Sequence, residues 1–480
     1  MVVGEMPEGI DLLVVGGGPG GYTAALEAAK LGRTVVLVDA GGPDGLGGTC
    51  LLRGCIPSKG LIELAEALEK ARQSGGGALG RMLAGTDRVD FGAFHHWKKS
   101  MISSLSNGVG SRLSAAGIEV ATGWFTFTGA GRGVIELGGD HPPRHLEFTD
   151  VIIATGSTPI EIPPLPFSDP RIHDASAILE LEEVPERLVV VGGGYIGIEL
   201  GTAFAKLGSE VTIVEALDSI LSGAPKRAAR LVERRAKELG IEILTGHSAR
   251  GMTDEGLAVE AGTQTRVLPT GAVLVAVGRR PNTADLGLAE AGVQSNSSGH
   301  IKVAAGYLAN RHVAAIGDVV VGPALAHKAT AEAKVAAASV SGRSASLISK
   351  VIPQVMFSDP EVAFAGLSRE ATRSDIGQAT KPVEEVGPTK SMTLPLGFSG
   401  RAATMSQSQG YAEIEVEQGT GAIVAGTVVG PHASELIGEI VLAIEMGACA
   451  EDLSLTIHPH PTLSEMWPDT AALHLDSHDV

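Results

Sequence analysis

Two cysteines five positions apart stand in the block Gly47-Gly48-Thr49-Cys50-Leu51-Leu52-Arg53-Gly54-Cys55-Ile56-Pro57-Ser58-Lys59, just before a run with helical apolar spacing. Near a helix start that is locally irregular, such a spacing lets the two sulfurs approach bonding distance. The helix N-terminus and the Lys59 ammonium would also lower a thiol pKa. Three chemistries are open to the pair: a redox-active disulfide, part of a zinc site, or two inert thiols. Zinc needs four ligands and the sequence offers no second cysteine pair, so redox chemistry is favoured and no metal site is expected. Cys449 lies in the apolar stretch Met446 to Ala450 and reads as a small buried hydrophobe.

Two glycine-rich turns suggest what could exchange electrons with that pair. Gly16, Gly18 and Gly21 fit G-x-G-x-x-G, and so do Gly192, Gly194 and Gly197. Bare glycine at such positions lets a pyrophosphate approach the free N–H groups of a helix N-terminus. Each turn is followed 18 residues after its last glycine by an acid, Asp39 in the first case and Glu215 in the second. A carboxylate there can accept from a ribose hydroxyl and repels a 2′-phosphate, so Glu215 favours NAD; no Arg occupies residues 216–225 to clamp a phosphate. Two such sites in one chain suggest a flavin and a nicotinamide nucleotide used together.

The elements that must hold these residues follow from periodicity. Residues 10–39 read as strand, turn, helix, strand, and residues 187–215 repeat the plan. Helical spacing covers Leu61 to Arg72 and Phe91 to Ala116, with strands at Ile118 to Ala121, Val134 to Leu137 and Val151 to Ala154. The Pro-rich segment Ile160 to Pro170 reads as a linker. A helix over Arg227 to Leu239 and strands near Ile241, Leu257 and Val273 complete the second unit, and Val313 to Asp318 with the Ala-rich helix Ala324 to Ser341 suggests a return to the first. Beyond residue 350, strands at 411–416 and 422–429 and helices at 433–445 and 462–475 describe an α+β unit. The expected fold is α/β: two Rossmann-like dinucleotide-binding domains plus a C-terminal α+β domain. The expected division is 1–158, 159–283, 284–349 (a return to the first domain) and 350–480.

Composition bounds the function. A chain of 480 residues is long enough for about three domains. Gly accounts for 64 residues, nearly twice the usual ~7%, without a collagen period. A net charge of −18 argues against nucleic acid or an anionic membrane as main partner. Met1 to Gly9 has no export-signal character, and apolar runs stay far below the ~18 residues of a membrane span, so a cytoplasmic location is expected.

Taken together, the Gly16 turn, the Cys50 to Lys59 block, Ala154-Thr155-Gly156, the turn from Gly192 through Glu199, Val277-Gly278-Arg279, Ile316-Gly317-Asp318, Leu325-Ala326-His327-Lys328 and His458-Pro459-His460-Pro461-Thr462-Leu463-Ser464-Glu465 resemble the flavoprotein disulfide reductases over nearly the whole chain. The resemblance is strongest to the branch that oxidises dihydrolipoyl groups. It implies that Gly16, Gly18, Gly21 and Asp39 hold FAD, with Gly123, Thr155, Gly156, Asp318 and Ala326 along the flavin nucleotide. Gly192, Gly194, Gly197, Glu215 and Gly278 would hold NAD. By the same resemblance Lys59 and Glu199 form an ion pair beside the flavin, Cys55 faces the flavin, and Cys50 exchanges with substrate. His460 resembles the catalytic base and Glu465 its orienting carboxylate. A base is needed because a neutral dithiol attacks poorly, and an imidazole can take its proton near pH ~6.5.

The resemblance further implies a homodimer completed by the C-terminal domain, and a partner that is a lipoyl-bearing acyltransferase or lipoyl carrier protein of a 2-oxo acid dehydrogenase or glycine cleavage assembly. Leu52, Arg53 and Pro459 depart from the Asn-Val and Ala common in the family, which bears on the substrate channel and the disulfide potential. A mercuric or glutathione reductase is the rival within the class, disfavoured by Glu215 and by an end, Asp476 to Val480, without cysteines. A flavoprotein kept as a non-catalytic subunit is the rival outside it, disfavoured by Cys50, Cys55, His460 and Glu465 occurring together.

Overall fold

The computed structural model describes residues 7–73, 90–138, 141–347, 349, 351–366 and 387–476. In the first sheet, strand Glu8–Val15 lies between Val35–Asp39 and Arg144–Ile153 and runs parallel to both. Glu119–Thr122 extends it beyond Val35–Asp39, also in parallel. Alternate residues of the central strand serve opposite layers, as the two-residue strand period requires. Leu12 and Val14 pack with Ala24, Ala25 and Ala28 of helix Pro19–Lys30 and with Ala333 and Ala336 of helix Ala326–Val340. Leu13 and Val15 face Phe125, Phe127 and Phe148. Covering on both faces is why these strands are apolar throughout.

The return to the first sheet is physical. Val313–Ala315 pairs in parallel with Val151 to Ile153, while Arg132–Glu136 pairs in antiparallel fashion with the other end of the same long strand. The second sheet is parallel throughout, in the order Glu242–Thr245, Glu210–Glu215, Arg187–Val191, Ala272–Val275, Ile172–His173. The last sheet is antiparallel, in the order Gln354–Met356, Val362–Gly366, Ile423–Val429, Tyr411–Glu417, Thr389–Pro395. Helices Ala433–Met446 and Met466–Asp476 share its core, where Trp467 is fully buried. The expected fold class is therefore borne out.

A buried ionic cluster joins the three parts that converge on the site. Lys206, 5% exposed, lies 3.0 Å from Glu69 and 2.9 Å from Asp359, and Arg235 reaches the same two carboxylates.

Three readings from the sequence need correction. The segment Ile160 to Pro170 does not hang free: Leu165 is fully buried with Val189 and Val191, because the second sheet needs a cover on that face. The last helix begins at Met466 rather than Thr462, since the Glu465 side chain turns back to accept from the Thr462 N–H at 2.8 Å. Cys449 is half-buried at the N-cap of helix Ala450–Leu455, its thiol 3.1 Å from Asp452 Oδ2, so its role is polar. Among the described residues, no helix is long and apolar enough to cross a membrane.

Candidate active site

Each glycine turn divides its labour in the same way. Gly16 and Gly192 have φ of +106° and +109°, and a Cβ on either would lie 2.3 and 2.5 Å from a carbonyl oxygen of the neighbouring strand end. A Cβ on Gly21 or Gly197 would strike the first glycine's carbonyl at 1.7 or 2.0 Å, so the helix could not close on the strand. The middle glycines differ: a Cβ on Gly194 meets nothing within 4 Å, and one on Gly18 only Gly48 Cα at 4.0 Å. Nothing in the protein requires glycine there, which is the signature of space kept for a ligand's backbone. Gly18 and Gly194 cap helices Pro19–Lys30 and Tyr195–Leu207 without a side-chain hydrogen bond, leaving the first N–H groups for an anion. The residues therefore fit two dinucleotides.

The paired acids have a role beyond the one read from sequence. Asp39 Oδ2 accepts from Gly17 N at 2.7 Å and Oδ1 from Gly41 N at 2.9 Å. Glu215 Oε2 accepts from Gly193 N at 2.7 Å and Oε1 from Leu217 N at 2.8 Å. Each carboxylate thus braces its turn, and still has lone pairs for a ribose hydroxyl. The second turn and Glu215 line a cavity of about 770 Å³ that also reaches Gly278, Arg279 and Tyr195.

The cysteines meet because the helix is broken between them. Cys50 belongs to helix Gly48–Leu52 and Cys55 opens helix Cys55–Gln73, with Arg53 and Gly54 making the joint. Both are free cysteines, close enough for each to shift the other. A hydrogen bond from Cys50 is the main influence that lowers Cys55 to about 7, helped by the Lys59 charge and opposed by desolvation. Cys50 is raised by the same interaction and by its own burial. The two sulfurs therefore differ in acidity, and Cys55 is the more acidic.

Lys59, one turn further along the helix, puts its Nζ 2.8 Å from Glu199 Oε2 and 4.4 Å from the centre of the Phe357 ring. Glu199 is 4% exposed, and its Oε1 accepts from Phe357 N at 2.8 Å. Both oxygens of this buried carboxylate therefore have donors. Tyr195, in the first turn after Gly194, lies within electrostatic range of Glu199, Cys55 and Asp318.

Asp318 is oriented by a chain of donors. Ser157 Oγ donates to Asp318 Oδ2 at 2.5 Å, and Arg279 Nε donates to Ser157 Oγ at 2.7 Å. The preceding Gly317 gives its N–H to Glu332 at 2.7 Å, while Lys328 donates to the Gly317 carbonyl at 3.2 Å and pairs with Glu332 at 2.9 Å. Thr155 and Gly156 bond to Asn282, and the ribbon of Ser157–Pro159 with Arg279–Pro281 beside Gly278 links the two nucleotide units. Gly123 gives its N–H to the Asp39 carbonyl at 3.0 Å, and Ala326 opens helix Ala326–Val340 next to the Asp318 turn.

Sequence reasoning missed Ser157, Tyr195, Phe357 and Glu332. Only Glu332 carried a clear signal: an acid four residues after Lys328, inside an Ala-rich helix with little other charge.

His460 and Glu465 come together as expected, Nδ1 to Oε1 at 2.8 Å. Glu465 is lowered by the Thr462 N–H and then by His460. The imidazole is 79% exposed, and among the described residues no hydrogen bond or ion pair joins it to Cys50 or Cys55 of its own chain. Exposed apolar side chains stand just before His460 in the chain, Ile457 at 96% and Leu455 at 72%, and Met446, at the end of helix Ala433–Met446, is 77% exposed.

Fold and site together define the class. Residues 10–333 match the family described as pyridine nucleotide-disulphide oxidoreductase, residues 352–471 match its dimerisation domain, and the chain belongs to that family. The particular branch shows in its curated relatives. The chain is similar to the dihydrolipoyl dehydrogenase of Geobacillus stearothermophilus, 42% identical over 99% of this chain and 98% of the relative. It is similar also to that of Bacillus subtilis, 38% identical over 99% of each. Among solved structures, LpdA from Mycobacterium tuberculosis is 26% identical with TM-score 0.83, covering 97% of this chain and 100% of that one. The HOCl-induced flavoprotein disulfide reductase RclA from Escherichia coli, 24% identical with TM-score 0.83 over 97% and 99%, shares the fold. The resemblance read from the sequence is thus borne out.

Proposed function

We infer that this protein catalyses the dihydrolipoyl dehydrogenase reaction, with FAD and NAD⁺ as its redox cofactors and a dihydrolipoyl group on a carrier domain as its dithiol substrate. The observation that carries the reading is the paired free cysteines Cys50 and Cys55 on either side of a helix break, one turn from the Lys59–Glu199 pair at 2.8 Å, in a chain 42% identical to a curated enzyme of that name. In the oxidised enzyme the two sulfurs form a disulfide. A substrate thiol gives its proton to His460 Nε2, and the resulting thiolate attacks Cys50; the Cys50–Cys55 bond breaks and Cys55 leaves as thiolate. The second substrate thiol then displaces Cys50 and closes the lipoyl disulfide, leaving two electrons on the enzyme dithiol. FAD, which Gly16, Gly18, Gly21, Asp39 and Asp318 would hold, would supply the two-electron path from this dithiol to NAD⁺, with the Cys50–Cys55 disulfide restored.

The chain's own groups would each have a task. Cys55 is a good leaving group because its thiolate is held low, near 7. Lys59 keeps a positive charge beside the place where negative charge arrives, and Glu199 holds Lys59 there. Asp39 and Asp318 would hold FAD by hydroxyl groups, and Glu215 would select NAD over NADP. Since His460 does not reach the cysteines of its own chain, a second copy would bring its loop to them, which agrees with the dimerisation domain and the exposed apolar residues that precede that loop in the chain. The fourfold division given above, a cytoplasmic location and a lipoyl-bearing acyltransferase or lipoyl carrier protein as partner belong to the same proposal.

The test is to assay purified protein with dihydrolipoamide and NAD⁺ against glutathione disulfide and NADPH. Turnover confined to the first pair supports the reading. Turnover confined to the second pair overturns it.

A further inference from the structure

His458, two residues before the base, sits in a setting that fixes its proton count. Its Nδ1 is 2.9 Å from the Thr456 carbonyl oxygen and its Nε2 is 2.6 Å from Glu439 Oε1. A carbonyl oxygen only accepts, so Nδ1 carries a proton. The carboxylate also accepts, so Nε2 must carry or share a second one; without it, two lone pairs would face each other at 2.6 Å. The side chain is 7% exposed, which leaves little access for water to replace either partner.

The surroundings show what this contact joins. Within the loop, Glu465 bonds to His460 Nδ1 and to Thr462 N, and the Thr462 hydroxyl donates to the Pro459 carbonyl. Those bonds orient the His460 ring relative to the loop but do not attach the loop to the domain. The His458–Glu439 contact does, because Glu439 belongs to helix Ala433–Met446, which packs on the antiparallel sheet. Trp467, whose indole N–H donates to the Leu436 carbonyl of the same helix, anchors the far side of the loop.

We propose that His458 is a positioning residue for His460: with both ring nitrogens protonated it ties the loop to helix Ala433–Met446, and so fixes where the free nitrogen of His460 points across the subunit boundary. The proposal rests on His460 being the base.

The tie depends on pH with a definite sign. The charged groups facing His458 are Glu439 on the helix and, further off, Glu465 in the loop; Thr456 adds a backbone acceptor. Burial works against the ring's charge, yet Glu439 and Thr456 outweigh it and His458 is raised above the ordinary imidazole value. A raised value means that the tie is complete below the ordinary imidazole range and is lost as pH rises through the raised one. Dithiol oxidation should therefore carry an alkaline limb that belongs to His458.

The experiment compares His458→Gln, Glu439→Gln and His460→Gln with the unmodified holoenzyme, with bound FAD and dimer content checked first. Dihydrolipoamide–NAD⁺ and NADH–dye turnover are measured from acid to alkaline pH, and the proton count of His458 is read by NMR on histidine-labelled protein. Misplacement of a catalytic group commonly costs about 10- to 100-fold, so His458→Gln should lower dithiol kcat by that factor, spare the dye reaction and erase the alkaline limb. In Glu439→Gln the amide oxygen still accepts from Nε2 but the charge is gone. The limb should shift to lower pH while the acid-side rate stays near normal. A His458→Gln profile that overlays the unmodified one, a fall of both reactions together, an unmoved limb in Glu439→Gln, or a singly protonated His458 at a pH below the ordinary imidazole range would each overturn the proposal. Undiminished dithiol turnover in His460→Gln would instead overturn the base assignment, a separate result.

Discussion

The two halves of the site are finished to different degrees. The sulfur half is complete within one chain: Glu199 is 4% exposed, Lys59 and Phe357 occupy its two oxygens, and the three residues come from three separate stretches of sequence. The proton half is an exposed loop, with His460 at 79% and Ile457 at 96%. Both contain a cation or potential cation held by a carboxylate at 2.8 Å, so the pairings are alike and their settings are not. A charge buried within one chain has to be desolvated whenever the protein folds. A base that must meet a substrate can be left to a second copy, whose docking removes water from it at the same time as it completes the site.

Breaking the sulfur half should have the largest effect. Cys50→Ser or Cys55→Ser should abolish dihydrolipoamide turnover, because no disulfide can form, while NADH-driven reduction of a dye acceptor persists. In Cys55→Ser the long-wavelength absorption of a thiolate lying against oxidised flavin should also vanish; its persistence would assign that role to another sulfur. Breaking the proton half should cost less. His460→Gln should lower dithiol turnover by ~10²–10⁴-fold, the usual worth of a general base, and leave the dye reaction intact. Equal loss of both reactions would mean that His460 supports the fold instead.

Smaller effects sharpen the comparison. Glu215→Ala lies outside both halves and should narrow the preference for NAD over NADP about 10-fold, mainly by weakening NADH binding, as expected for one hydrogen bond to a charged group. Because Glu215 also braces Gly193 and Leu217, some of that loss should appear for both nucleotides. Equal kcat/KM for the two cofactors in the unmodified protein would remove its selective role. The smallest effect is a shift in midpoint. Alkylation of the reduced protein at Cys55 should rise with pH through about 7, since the Cys50 thiol donates to it, and Cys50→Ala should move that midpoint upward. An unmoved midpoint would credit Lys59 alone.

What could be read in the sequence follows the range of the interactions. The hydrogen bonds that join each glycine turn to its acid, Gly17 to Asp39 and Gly193 to Glu215, span 22 positions, and each turn is a local solution to joining a strand, a helix and a phosphate. The cysteine pair, five residues apart, is visible from its own spacing; His460 and Glu465 are equally close, but their pairing came from the resemblance. The Lys59–Glu199 pair spans 140 positions, and only the resemblance to known relatives brought it out. Phe357 gives Glu199 a backbone N–H and Lys59 the face of its ring, but it comes 298 positions after Lys59 with no local pattern to tie it to either. Strand Trp124–Gly129 was overlooked although Phe125-Thr126-Phe127-Thr128 alternates as a half-buried strand does, with Phe125 and Phe127 buried; the run is short, opens on an exposed Trp124 and pairs with Arg132–Glu136. The start of the last helix was misplaced for a related reason: its N-terminal residues read as helical, while the Glu465 side chain holds Thr462 in a turn.

Whether the two halves meet across a subunit boundary can be tested by mixing two inactive parents. Cys50→Ser and His460→Gln dimers are dissociated and allowed to re-form together. If the base comes from the second copy, each hybrid dimer contains one site with both an intact disulfide and an intact base. With random exchange half of the dimers are hybrids, so the mixture should regain about a quarter of the unmodified dihydrolipoamide activity. If His460 served the cysteines of its own chain, every site in every hybrid would lack one component, and the mixture would stay as inactive as its parents.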